Sequence, residues 1–115
     1  MEKTTEYTVE ITRSAKLYYF EILDQFYENS SIESASRKAD ELYEKAFTLN
    51  VFPERGQIEE NLKDLPQSHR YILYHATSRQ TVKIIYFIDQ KNTMVYVTDF
   101  FPTAMDNERL MKRNK

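Results

Sequence analysis

The C-terminal half of the chain decides the fold, because three strand-like segments follow one another there. Residues 70–101 read RYILYHATSRQTVKIIYFIDQKNTMVYVTDFF. β-Branched and aromatic residues dominate 70–76, 81–89 and 94–100, and polar turns separate these three segments. Such side chains fit a pleated, packed surface, so we predict three consecutive antiparallel strands. The middle segment is apolar on both faces, which is typical of a central strand.

The N-terminal half, outward from these strands, has the pattern of one short strand and two helices. Residues 7–13 alternate between apolar and polar side chains, which predicts a half-buried strand. Apolar residues recur at helical spacing in 14–29 and again in 35–49. Ser30 and Glu33 match a capping box, which predicts the start of the second helix. After the last strand, Asp106 is placed to cap a short basic helix.

Together these elements predict an α+β fold in the order β-α-α-β-β-β, followed by a short C-terminal helix. A two-helix hairpin is expected to cover one face of an antiparallel sheet. No internal repeat, low-complexity segment or linker interrupts the chain, and its 115 residues suffice for one core. We therefore expect a single domain spanning residues 1–115.

Composition excludes several classes of site. The chain has one glycine, two histidines and no cysteine, so a glycine-rich phosphate loop, a disulfide and a thiolate metal site are all excluded. We expect no cofactor and no metal. No apolar run approaches the roughly 18 residues of a membrane span, and the N-terminus does not resemble a signal peptide. The expected location is the cytoplasm, with no membrane partner.

The net charge of −2 hides an asymmetry between the two halves of the chain. Residues 1–65 carry 8 basic and 14 acidic side chains, whereas residues 66–115 carry 8 basic and 4 acidic ones. Clustered Lys and Arg in the strand-rich half favour an anionic partner. A helical half solvated by Glu and a sheet half solvated by Lys would give the same asymmetry.

The sheet face that the helices leave open depends on the register of the first hairpin of the three strands. A four-residue loop at 77–80 would pair Tyr71 with Tyr86 and point His75 into the core. The opposite face would then collect two cations among apolar side chains: Arg70, Ile72, Tyr74, Lys83, Ile85 and Phe87. A slip of one residue would separate Arg70 from Lys83.

Such a face permits three interpretations. Phosphates can pair with Arg70 and Lys83 while bases stack on Tyr74 or Phe87, as in sheet-based RNA recognition. An amphipathic segment of a partner protein can instead cover the apolar residues. In the third interpretation, the C-terminal helix folds back over the face and buries it. Because Phe100 and Phe101 point to opposite faces of their strand, at least one of them must be exposed or covered by this helix.

At this point the sequence resembles the RelE/ParE family of bacterial type II toxin–antitoxin toxins, the plasmid stabilization type. The element order agrees, as do the segments FPERG at 52–56, HRYIL at 69–73 and KIIYFID at 83–89. The resemblance runs from Tyr7 to about Lys112, and VTDFFPT at 97–103 looks like a subgroup variant of the family's last strand.

The resemblance implies a toxin that a cognate antitoxin neutralises. In the RelE branch the activity is ribosome-dependent mRNA cleavage by a metal-independent endoribonuclease, an mRNA interferase. Basic residues would hold the scissile phosphate while the 2′-hydroxyl attacks it. The resemblance gives Arg70, Lys83 and Arg109 as the catalytic residues. The expected contacts to substrate or antitoxin are Arg55, Ile72, Tyr74, Ile85, Phe87 and Lys112.

The sequence also departs from the RelE pattern. The family's third cation, just past the last strand, is missing, since Pro102, Thr103 and Ala104 stand there. A net negative charge is also unusual for a protein that docks on the ribosome. Two alternatives therefore stay open: a ParE-like inhibitor of DNA gyrase, and a catalytically degenerate module that only binds its antitoxin.

Overall fold

The computed structural model describes residues 4–114. Its strands and helices are β1 (Thr8–Ile11), α1 (Arg13–Asn29), α2 (Ile32–Phe47), β2 (Gln57–Ile58), β3 (Arg70–Thr77), β4 (Gln80–Asp89), β5 (Met94–Pro102) and α3 (Glu108–Asn114). Short 3-10 turns lie at Thr48–Asn50, Pro53–Arg55 and Glu60–Leu62. The predicted α+β fold, with its helical hairpin and C-terminal helix, is confirmed.

The sheet differs from the expected one at both edges. Its strand order is β1-β5-β4-β3-β2, and β1 runs parallel to β5, so the sheet is mixed and not wholly antiparallel. The α1–α2 hairpin carries the chain across one face to the far edge, and β3, β4 and β5 then return to β1. The two-residue strand β2 at that far edge is too short to give a sequence pattern.

Polar side chains set the ends of the helices. Thr12 caps α1 by accepting a hydrogen bond from the backbone N–H of Ala15 at 3.2 Å. The cap of α2 is Ser31, which accepts from Ser34, so the predicted capping box starting at Ser30 is wrong by one residue. Ser30 instead ends α1. Asp106 accepts from the N–H of Glu108 at 3.1 Å and caps α3 as predicted.

Two cores lie on opposite faces of the sheet. The larger one packs the α1–α2 hairpin on the sheet and includes Ile22, Leu42, Ile84, Tyr86 and Phe100. The smaller one lies beneath α3 and the turn Glu60–Leu62, and it consists of Leu62, Ile85, Phe101 and Leu110. The C-terminal helix α3 therefore folds back over the second sheet face and buries it, as the third interpretation of the open face predicted.

The register of the β3–β4 hairpin is the main correction to the sequence prediction. Thr77 pairs with Gln80 across a two-residue turn, and an irregularity follows between His75 and Thr77. The pairing is therefore shifted by one residue, with Arg70 opposite Tyr86. Because side chains alternate along a strand, this shift places each β3 side chain on the opposite sheet face, relative to β4, from the one predicted. His75 is consequently exposed and not in the core.

Gly56, the sole glycine, permits a close approach between the turn after α2 and the sheet. Its N–H donates to the Tyr86 hydroxyl at 3.1 Å, and that hydroxyl donates to the Pro53 carbonyl. A Cβ at this position would lie 2.8 Å from the Tyr71 carbonyl oxygen and would overlap the Tyr86 hydroxyl. The turn of the FPERG segment is thus fixed against β4 by a contact that only glycine allows.

Candidate functional site

Arg70 and Arg55, two of the predicted site residues, both hold the turn after α2. The Arg70 guanidinium donates to the carbonyl oxygens of Gly56 at 2.8 Å and Glu54 at 3.3 Å. Arg55 donates to the Val51 carbonyl oxygen at 3.0 Å and to the Thr48 hydroxyl at 2.7 Å. Arg70 lies on the same sheet face as the α1–α2 hairpin, because it stands opposite Tyr86 in the first core.

Lys83 lies on the other face of the sheet. Its ammonium is 2.7 Å from the Glu59 carboxylate and stands over the Tyr71 ring at 4.4 Å. Only 1% of the Glu59 side chain is exposed. The positive charge of Lys83 is thus neutralised by a buried carboxylate, and the sheet separates it from Arg70. The predicted placement of these two cations on one face is wrong, because the hairpin register differs by one residue.

The other predicted contact residues do not form one surface either. Ile72 and Tyr74 face the α1–α2 hairpin, and the buried Tyr74 hydroxyl donates to Glu41 at 2.7 Å. Burial, with help from Glu41, raises the pKa of Tyr74 above its usual range. Ile85 is fully buried in the second core, so it is inaccessible to a partner while α3 is in place.

Arg109 and Lys112 lie on α3 and are exposed. With Tyr18 and Arg113 they border a shallow depression of about 450 Å³. This places two of the predicted cations on the face that Lys83 also occupies. Their assigned roles in catalysis and binding stay predictions.

Arg113 forms an ion pair with the buried Asp99, and this pairing was not among the predicted site contacts. The Arg113 guanidinium is 2.8 Å from one Asp99 oxygen, and the Asn114 amide donates to the other at 2.8 Å. The guanidinium also stacks 3.6 Å from the centre of the Tyr18 ring. Asp99 has no exposed surface, and its burial raises its pKa to about 6, although Arg113 opposes this shift. These contacts fasten the end of α3 to β5 and α1.

We expect Asp99 to make the protein more stable in mild acid than at neutral pH. Because its pKa rises on folding from 3.8 to about 6, the folded state binds more protons than the unfolded state between these values. This contribution is complete below about pH 4 and is lost as pH rises through 6. Between pH 5 and 7.5, the free energy of unfolding should fall by about 1–2 kcal/mol from this group. Urea titrations at the two pH values measure it.

The control for this prediction is Asp99→Asn, whose side chain does not titrate. Burial lowers the pKa of His69, so this group acts in the opposite sense and favours the folded state as pH rises. The difference between the two proteins isolates Asp99 from His69. Equal pH dependence in the original chain and in Asp99→Asn would contradict the prediction.

A cleft of about 260 Å³ opens beside this ion pair, between the start of α1, strand β5 and the end of α3. We call it the α1 cleft, and its lining residues are Thr12, Ser14, Gln67, His69, Phe87, Thr98, Arg113 and Asn114. Thr98 is unpaired in the β4–β5 register, where Ile85 opposes Asp99 and Tyr86 opposes Val97. The resulting bulge breaks the strand pairing at the cleft, as bulges near functional sites often do. Among the predicted site residues, only Phe87 lines the α1 cleft.

A second surface feature is an aromatic row on the outside of the helical hairpin, formed by Tyr19, Phe20, Tyr43 and Phe47. Successive ring centres lie 5.1–5.6 Å apart. Phe20 is 58% exposed and Phe47 is 40% exposed. Asp40 and Glu44 border a depression of about 370 Å³ beside the rings. The helical periodicity accounted only for the buried side of the hairpin, so this row was not predicted.

Residues 4–114 contain neither a metal-binding cluster nor a membrane-spanning helix. No group of three His, Cys, Asp or Glu side chains in that range is arranged to hold a metal ion. In the same range, no helix has both the length and the apolar character needed to cross a membrane.

Comparisons with known proteins identify the fold. No protein family matches the sequence, and no curated protein matches it either. Among solved structures, the chain resembles one from the chromosomal ParDE TA system of P. aeruginosa, with a TM-score of 0.64 and 13% identity. The similarity covers 86% of this chain and 98% of that chain. At this level of identity it establishes a shared fold.

Proposed function

We propose that the chain is the toxin component of a type II toxin–antitoxin system, and that it acts by binding a protein target, DNA gyrase. The assignment as a toxin is supported by the fold that this chain shares with a chain of the ParDE TA system, over 98% of that chain. The family resemblance of the sequence points the same way. A cognate antitoxin is the expected partner.

The distribution of cations favours protein binding over RNA cleavage. Arg70 is bound to backbone carbonyls, and Lys83 to the buried Glu59 on the opposite face. An mRNA-cleaving site needs several cations converging on one phosphate, and loss of one such donor costs about 10²–10³ in rate. With Arg70 turned away and no cation at Thr103 or Ala104, the RelE-type activity has less support than the ParE-type activity.

The aromatic row supplies a surface that suits a protein partner. Large exposed apolar patches mark interaction sites, and exposed Phe and Tyr side chains are frequent anchors in them. Phe20 and Tyr43 are both more than a third exposed, and the rings pack against one another in a preformed arrangement. Asp40 and Glu44 add a negative rim, which suits Lys or Arg on the partner.

Inducible expression of the chain in bacteria should arrest growth, and coexpression of the protein encoded beside it should restore growth. If gyrase is the target, purified chain should inhibit DNA supercoiling in vitro, and cellular mRNA should stay intact at the onset of arrest. Phe20→Glu should bind DNA gyrase at least tenfold more weakly than the original chain, because it places a charge in the aromatic row. Calorimetry with the purified partner measures this loss.

Ile32→Glu is the matched control. Ile32 is 75% exposed and lies at the N-terminal end of α2, whereas the aromatic row lies at its C-terminal end. It should bind like the original chain. Arrest accompanied by mRNA cleavage would overturn the gyrase assignment in favour of the interferase. Absence of arrest from folded, expressed protein would overturn the toxin assignment altogether.

A further inference from the structure

A pocket on the outside of the α1–α2 hairpin is lined by only two kinds of side chain. It is the depression of about 370 Å³ beside the aromatic row, and its lining residues are Tyr19, Phe20, Asp40, Tyr43 and Glu44. We call it the hairpin pocket. Among residues 4–114, no basic side chain lines it. Aromatic rings and carboxylates both attract positive charge, so this lining suits an organic cation.

The two carboxylates of the hairpin pocket lack a positive partner. Asp40 and Glu44 are exposed and stand one turn apart on α2, a spacing at which like charges repel and destabilise a helix. Neither forms an ion pair among residues 4–114. The charge of Asp40 also acts on the rings, because it adds to the effect of burial in raising the pKa of Tyr19 to about 12. A cation bound in the pocket would relieve the repulsion between the carboxylates.

The rings of the hairpin pocket are held in place before any partner binds. The Tyr19 hydroxyl donates to the Ala39 carbonyl oxygen at 2.9 Å, and its ring centre lies 5.5 Å from that of Phe100 in the first core. The rings of Phe20 and Tyr43 are inclined to Tyr19 by 64° and 55°. Both stay more than a third exposed. A ligand therefore meets ordered rings, and little side-chain entropy is lost when it binds.

We propose that the hairpin pocket receives the guanidinium group of an arginine side chain on a protein partner. The carboxylates of Asp40 and Glu44 accept its N–H groups. The exposed rings of Phe20 and Tyr43 contact its flat faces. Arginine fits better than lysine, because its planar head stacks on aromatic rings, is weakly hydrated and can donate to two carboxylates at once.

The surroundings of the pocket favour an arginine carried by a protein over a free cation. The apolar surface continues past the pocket to Phe47, whose ring centre lies 5.1 Å from that of Tyr43 and which is 40% exposed. A small cation would leave this surface uncovered, whereas a protein covers both. Both carboxylates also belong to the acidic half of the chain, since residues 1–65 carry 14 acidic and 8 basic side chains. Such a half complements a basic partner. Only the identity of that partner, DNA gyrase, rests on the proposed function.

NMR titration with ethylguanidinium chloride at low ionic strength tests the pocket without any partner protein. The ring signals of Phe20 and Tyr43 should shift with a Kd of about 10 mM, whereas those of Phe87 and Tyr96, an aromatic pair outside the pocket, should stay in place. Ethylammonium should bind at least threefold more weakly. Equal shifts with neutral N-ethylurea, or no shift with ethylguanidinium, would overturn the proposal.

A charge-neutralising double variant separates the pocket from the general charge of the protein. Asp40→Asn with Glu44→Gln keeps the side-chain size and should weaken ethylguanidinium binding at least fivefold. The matched control is Asp24→Asn with Glu28→Gln, because these two exposed acids have the same spacing on α1 and lie outside the pocket. The control should bind like the original chain. Equal weakening in both double variants would refute a specific site.

The same variants distinguish failure of this proposal from failure of the proposed function. If gyrase binds the original chain at least tenfold more tightly than Asp40→Asn with Glu44→Gln, the pocket holds the partner's arginine. If gyrase binds both proteins equally, the proposed function stands and the pocket assignment is wrong. If gyrase binds neither, the proposed function fails, and the ethylguanidinium titration still decides on the pocket. Free L-arginine binding tenfold tighter than ethylguanidinium would overturn the protein partner in favour of the amino acid.

Discussion

Lys83→Ala is expected to lower the free energy of unfolding by about 3–5 kcal/mol, because it leaves the buried Glu59 carboxylate without its positive partner. Glu59 is 1% exposed and lies 2.7 Å from the Lys83 ammonium. Its other oxygen accepts from Asn61, so the carboxylate is held in place and cannot turn out to solvent without breaking the turn at Glu60–Leu62. Urea unfolding followed by circular dichroism measures the change.

The matched control replaces both partners, as Glu59→Gln with Lys83→Met. Replacing a whole buried ion pair with neutral groups of similar size is often close to neutral, so this double variant should recover most of the stability. A loss below about 1 kcal/mol for Lys83→Ala would place the pair among weak surface ion pairs and contradict the prediction.

The same double variant separates folding from catalysis. A loss of toxicity in Lys83→Ala alone would not assign Lys83 a catalytic role, because the destabilisation itself lowers the amount of folded, active protein. If the stable double variant still arrests growth, Lys83 has no role in cleaving RNA. If it is stable and harmless while mRNA cleavage by the original chain is observed, Lys83 acts on the phosphate.

Arg113→Ala is the second substitution with a large expected effect, again about 3–5 kcal/mol, because Asp99 is fully buried and would lose its positive partner. This substitution should also release α3 from the sheet. The amide of Leu110 would then exchange with solvent much faster, since Leu110 packs in the second core only while α3 is docked. Hydrogen exchange and urea unfolding measure the two effects.

Arg109→Ala is the control on the same helix. Arg109 is exposed and forms no ion pair among residues 4–114, so its loss should change stability by no more than about 0.5 kcal/mol. Equal destabilisation by Arg109→Ala and Arg113→Ala would show that the charge of α3, and not the buried ion pair, holds the helix.

The sequence pattern predicted the structural features that depend on residues close to one another in the chain. The β-branched and aromatic content of β3, β4 and β5, the helical spacing of the hairpin and the Asp106 cap each involve residues close in sequence, and all three predictions were confirmed. The fate of Phe100 and Phe101 also followed, because neighbours on a strand point to opposite faces. Phe100 joins the first core and Phe101 the second.

The candidate site could not be predicted, because it depends on choices between conformations of similar energy. A two-residue turn with an irregularity and a four-residue loop both suit the polar segment 77–80, yet they place Arg70 on different faces. The pairs Lys83–Glu59 and Asp99–Arg113 join residues that are 24 and 14 positions apart. Nothing in the local sequence of either residue indicates its partner.

The parallel pairing of β1 with β5 sets an order for folding. Within residues 4–114, β1 pairs only with β5, so Thr8 meets its neighbour Met94 only after most of the chain has been made. The three-strand meander of β3, β4 and β5 consists of local hairpins, which close faster than contacts across such a distance. We therefore expect the meander to form first, the helical hairpin to dock on it, and β1 to complete the sheet last. During synthesis we expect the helical hairpin to lack the sheet that buries its apolar side until β3, β4 and β5 have been made.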